Sequence, residues 1–172
     1  MTSTIFTIGF TKKNAEEFFR LLQEARVEKL IDIRENRVGQ LAGFAKYPDL
    51  AFFLDRIAGI AYDYQPMLAP SPEIRAAYRK THDWAQYEKS FQELMAQRRV
   101  LDELDPSLFE GKIALLCSEA DPDQCHRRLV GEMLARHWQS QGYEVGVQHL
   151  RSRRRPPHKK RAGTAHEGSH SV

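Results

Sequence analysis

The sequence predicts an α/β fold: one three-layer domain with a mainly parallel sheet and helices on both faces. Three observations lead there. Short runs rich in β-branched residues alternate with stretches of helical periodicity. Two of the runs, "EKLIDIR" and "KIALLC", are continuous in their apolar centres, which suits strands covered on both faces rather than on one. A chain of 172 residues, 41% hydrophobic, can bury one sizeable core and is too short for two comfortable domains.

Taken in order, "STIFTIG" reads as the first strand. Asn14 then fits a helix N-cap with Glu17 three residues later, the capping-box pattern, and Phe18, Leu21, Leu22 and Ala25 recur at helical spacing behind it. "EKLIDIR" is the second strand. The polar, glycine-containing stretch from Glu35 to Pro48 is longer than a simple connector and so is a site-loop candidate. Leu50, Phe53, Leu54 and Ile57 mark a helix stopped by Gly59, and "IAYDYQ" a third strand. A proline-marked turn opens "PSPEIRAAYRK", and "WAQYEKSFQELMAQRRVLDEL" places Trp84, Tyr87, Phe91, Leu94 and Met95 on one face. "KIALLC" is the strongest strand signal. Asp121 is then positioned to cap a helix with Pro122 in its first turn, Leu129, Val130, Met133, Leu134 and Trp138 as its buried stripe and Gly142 at its end. "EVGVQHL" is the last strand.

Charge divides the chain unevenly. Residues 151–172 carry seven Lys/Arg against Glu167 alone, a balance of +6, so the net +3 of the whole leaves −3 on residues 1–150. The expected organisation is therefore a folded, mildly acidic 1–150 domain and a basic 151–172 tail with too few apolar residues to order itself. The N-terminus lacks the pattern of a secretory signal and no apolar run is long enough to span a bilayer, so a cytoplasmic protein without membrane contact is expected. The two cysteines could form one disulfide, but in that compartment they are expected to be free, catalytic or metal-binding.

In open parallel sheets, ligands sit at the carboxyl ends of the strands, where loops converge and helix N-termini point inward. The chemistry-bearing residues fall at such ends. Gly9 and Thr11 follow the first strand, Asp32 and Arg34 close the second, Cys117 and Glu119 close the fourth, and Cys125, His126 and Arg127 open the helix beyond. Each has a plainer reading. Gly9 suits a turn, Asp32 a buried ion pair with Arg34 or Arg127, and both cysteines a packed core. Together, though, Cys117, Glu119, Cys125 and His126 bring coordinating and nucleophilic groups into one short segment.

Three chemistries can be compared. For zinc, the two thiols, His126 and Glu119 number four ligands, but their spacing matches none of the common short-spaced zinc patterns, and no metal site is assigned. For phosphatase-like or rhodanese-like chemistry, an arginine should stand six positions after the cysteine. Asp123 stands there, in an acidic loop without glycine. General acid/base or nucleophilic work needs only Glu119, His126 and a thiol, with Arg34 or Arg127 holding an anionic group. The sequence names no cofactor.

These same residues carry a resemblance. "TIGF", "LIDIR", "GIAY" and "LLCSEADPDQCHRRL", with its Cys-His-Arg triplet at 125–127, resemble in order the signature of the domain-of-unknown-function 488 (DUF488) family. The resemblance covers nearly all of residues 3–150. It implies an α/β fold and a shared polar site at Gly9, Asp32, Arg34, Cys117, Glu119, Cys125, His126 and Arg127, without implying a reaction. Tyr64 and Met67 depart from the pattern, where a histidine and a glutamate are expected, and make this site less polar.

Three functions follow as expectations. The first is an enzyme or ligand-binding domain for a small polar or anionic molecule, nucleotide-like or base-like, with Cys117, Glu119, Cys125 and His126 as catalytic candidates and Gly9, Thr11, Asp32, Arg34 and Arg127 as binding candidates. The second is a nucleic-acid-associated protein whose basic tail contacts phosphates. The third is a hydrogen-bonded structural cluster without catalysis.

Overall fold

The computed structural model describes residues 2–39 and 42–152. Five strands, β1 (Thr2–Gly9), β2 (Lys29–Asp32), β3 (Ala61–Tyr64), β4 (Lys112–Cys117) and β5 (Glu144–His149), form one sheet in the order β3-β2-β4-β1-β5. All four pairings are parallel. Every strand therefore ends at the same edge, and the register sets Gly9 beside Cys117 and Asp32 beside Leu116.

Side chains alternate across a strand, so neighbouring residues feed opposite cores. Phe6, Ile8, Leu30 and Leu116 face one side, where they meet Phe18, Phe19 and Leu22 of α1 (Ala15–Glu24) and Leu50 of α2 (Asp49–Phe53). Ile5, Ile31, Ile113 and Leu115 face the other. There they meet Tyr87, Phe91 and Met95 of α4 (Trp84–Gln97) and Leu129, Val130 and Leu134 of α6 (His126–Ser140). The sheet is buried on both faces, as its continuous apolar runs require.

Local signals act as read at most element ends. Asn14 accepts the Glu17 N–H at 2.8 Å, and the wider π-type turn Leu54–Ala58 that follows α2 stops at Gly59, whose φ of 64° suits glycine. Ser71 caps α3 (Pro72–Thr81) and Asp83 caps α4. The long helical stretch from Trp84 is broken: Arg99, at φ 50°, separates α4 from the single turn α5 (Val100–Glu103).

The largest correction is where α6 starts. Asp121 does not cap it; its carboxylate instead accepts the Asp123 N–H in a local turn, and the helix begins at His126 with extended Cys125 before it. The cause lies inside the loop. Arg127 turns inward, fully buried, and binds the Glu119 and Ala120 carbonyls, and those acceptors hold 118–124 out of helical geometry. Among the described residues, no helix is long and apolar enough to cross a membrane. The expectation of a tail without order concerns residues that, from 153 on, lie outside those described. Arg151, at its start, pairs with Asp123 at 2.8 Å.

Candidate functional site

A cleft of about 850 Å³ opens at the carboxyl edge of the sheet. The loop after β1 supplies Thr11 and Lys12, the loop after β2 supplies Arg34, Glu35 and Asn36, and the loop after β4 supplies Glu119, Asp121 and Asp123. Cys125 and His126 enter from the start of α6. The ends of separate strands do meet. The Thr11 N–H donates to the Ser118 carbonyl at 3.1 Å, and His126 Nε2 lies 3.1 Å from the Ile33 carbonyl.

Thr11, Arg34, Glu119, Cys125 and His126 thus share this cleft, whereas Gly9, Asp32, Cys117 and Arg127 stand behind its wall. Gly9 is explained by close approach. A Cβ there would collide with the Glu119 carbonyl and lie 2.8 Å from Arg127 Nη1. Of the two partners open to Asp32, Arg34 is the one that binds it. Arg34 Nε donates to Oδ1 at 2.8 Å and Nη2 to Oδ2 at 2.6 Å, a buried bidentate pair. Tyr62 O–H adds a bond to Oδ2 at 2.8 Å, and Arg34 Nη1 reaches the Ala45 carbonyl at 2.9 Å. The pair thereby fastens the long 35–48 loop to the sheet.

Arg37 reinforces that loop, lying between the rings of Tyr47 and Tyr64 at 3.7 and 3.9 Å and donating to Tyr62 O at 3.2 Å. Tyr64 and Met67, the two departures from the family pattern, are structurally occupied. The Tyr64 O–H donates to the Glu35 carbonyl at 2.9 Å, and Met67 packs against the core.

His126 is partly buried, and desolvation drives its pKa down to about 4, with the Arg127 and Arg75 charges acting in the same direction. At neutral pH it is an uncharged imidazole. With Nε2–H donating to Ile33, its Nδ1 carries the lone pair, 4.0 Å from Cys125 Sγ. Among the described residues, no group of three or more His, Cys, Asp or Glu is arranged to hold a metal ion.

The far wall was invisible in the sequence as a site. Arg75, Tyr78 and Arg79 of α3 and Trp84 and Tyr87 of α4 line it. Trp84 and Tyr87 stack at 4.8 Å between centroids, and Tyr78 meets Trp84 edge-on at 5.8 Å. Tyr78 O–H also donates to Gln124 at 3.0 Å, joining this wall to the loop before α6. Arg75 pairs with Glu35, and its Nε is buried without a hydrogen-bond partner. The helical spacing of Trp84 and Tyr87 signals an apolar face, and nothing in that spacing distinguishes a core stripe from a cleft wall.

The fold and its cleft define an α/β protein with a polar, aromatic-walled pocket at the carboxyl ends of an all-parallel sheet. Comparison with known families is specific. Residues 14–134 match the family model described as Domain of unknown function DUF488, and the chain belongs to that family. No curated protein and no solved structure matches it.

Proposed function

We propose that this protein binds a small, flat, anionic molecule of nucleotide or nucleobase type in the strand-end cleft, and that any chemistry there uses His126 and Glu119. The observation that carries this reading is the meeting of two kinds of lining in one cleft. Half-buried Trp84, backed by the buried Tyr87 ring, offers an aromatic surface for a planar ring, while Lys12 and Arg79 offer positive charge for an anionic group. A volume of about 850 Å³ accommodates a ligand of that size. Uncharged His126 lines the cleft with its Nδ1 lone pair beside Cys125 Sγ, where it can accept a hydrogen bond, and Glu119 stands exposed at the rim as a proton-transfer group.

Asp32 and Arg34 act in this reading as scaffold, since each is consumed by the other and by the loop. The test is a thermal-shift screen of the full chain against nucleoside monophosphates, nucleosides and free bases, followed by calorimetry. A binder is expected whose affinity falls about ten-fold in Arg79→Ala, the loss of one charge-assisted contact, and also falls in Trp84→Ala. A screen without binders, or a binder indifferent to both replacements, overturns the reading.

A further inference from the structure

The two cysteines and Arg127 form a cluster that ligand binding does not use. Cys117 ends β4 and Cys125 precedes α6, and their Sγ atoms lie 2.8 Å apart. Arg127 Nη1 lies 2.8 Å from Cys117 Sγ and 3.7 Å from Cys125 Sγ. An arginine keeps its charge in a protein interior, and a buried cation needs a counter-ion. Among the described residues no carboxylate contacts Arg127; its guanidinium meets only the Glu119 and Ala120 carbonyls and the two sulfurs.

A thiolate on Cys117, accepting from the Cys125 S–H across the 2.8 Å contact, would supply the missing charge. Burial alone would push the Cys117 thiol up, but the bond from Cys125 and the Arg127 charge hold it below the ordinary thiol value. Burial and that same bond push Cys125 well above it. In that arrangement the pair shares one proton. Cys117 is wholly enclosed, while Cys125 borders the cleft, so an incoming reagent meets Cys125 first.

We propose that Cys117 and Cys125 are a redox-active dithiol that exchanges with low-molecular-weight disulfides such as glutathione disulfide and closes to an intramolecular disulfide. As Cys125 sulfur attacks the reagent, its proton passes to Cys117, a protein–glutathione disulfide forms, and one glutathione thiolate leaves. Cys117 then gives up that proton and attacks Cys125 sulfur, releasing the second glutathione as the thiol. Two cysteine sulfurs are oxidised and one glutathione disulfide is reduced to a thiol and a thiolate. Oxidation removes the anion beside Arg127, so the fold favours the reduced form and the disulfide is an oxidising one.

The test treats the folded full chain with glutathione disulfide, quenches in acid, and counts alkylatable thiols and adducts by intact mass. Wild type is expected to lose both thiols together without a lasting adduct, and peptide mapping to find Cys117 linked to Cys125. Cys117→Ser should stop at a stable glutathione adduct on Cys125. The native disulfide should also be reduced at about ten-fold lower thiol concentration than the disulfide of the denatured chain, which needs no variant to fold. Two thiols persisting at every excess of glutathione disulfide overturn the proposal, as does a wild type that accumulates the same adduct as Cys117→Ser. A native disulfide as hard to reduce as the denatured one overturns it too. Nucleotide binding is measured separately, so failure of either reading leaves the other standing.

Discussion

Gly9→Ala measures how closely two strand ends are stitched together. The new Cβ meets the Glu119 carbonyl, a backbone atom that no rotamer change can move, so the loop after β4 must shift. Overpacking of this kind costs about 1–3 kcal/mol. The shift also breaks the bond from Arg127 to that carbonyl, a charge-assisted contact of about 1.5–3 kcal/mol. Lower entropy of the unfolded chain returns about 0.4–1 kcal/mol. The net expectation is a loss of about 3–4 kcal/mol, or a Tm lower by roughly 10 °C for a chain of this length. Gly146→Ala is the control, because a Cβ at that position in β5 meets nothing within 4 Å and the change should stay within about 0.5 kcal/mol. Equilibrium urea unfolding, read by far-ultraviolet circular dichroism, compares the two. A Gly9→Ala protein within about 1 kcal/mol of the Gly146→Ala control refutes the close approach and the cause assigned to the displaced start of α6.

Two further outcomes follow from buried charge. His126 titrates near 4 in the fold against an ordinary 6.5, so the unfolded chain takes up its proton first as pH falls. Its contribution is fully present above pH 6.5 and is lost as pH falls through 4, up to about 3 kcal/mol, and His126→Gln should flatten that part of the stability–pH curve. Asp32→Asn leaves the buried Arg34 guanidinium without its anion and should cost about 3–5 kcal/mol in urea unfolding. A loss under 1 kcal/mol would show that the pair does not anchor the 35–48 loop.

Much of the fold was legible because its signals are local and repeated. The apolar centres of "KIALLC" and "EKLIDIR" report burial on both faces, and Asn14 with Glu17 marks a helix start by hydrogen-bonding logic alone. The start of α6 was not legible. Asp121-Pro122-Asp123 has the composition of a helix N-terminus, but the side chain that decides the matter, Arg127, acts from four residues beyond and through main-chain carbonyls. The site was half legible for a similar reason. Topology brings strand ends together, so Thr11, Arg34, Glu119, Cys125 and His126 meet as the parallel sheet requires. Choosing between Arg34 and Arg127 as the partner of Asp32 needs coordinates, and so does finding that α3 and α4 close the cleft with aromatic rings.

One consequence of the inward-turned Arg127 concerns how this cleft can change. The course of the 118–124 segment is fixed from beneath, by a guanidinium gripping peptide oxygens, and peptide oxygens are the same whatever residue bears them. The outward carboxylate of Glu119 can therefore be exchanged without rerouting the chain, whereas Asp121 holds the local turn and Asp123 pairs with Arg151. The charge presented at the mouth of the cleft and the integrity of the frame beneath it can thus vary separately at Glu119.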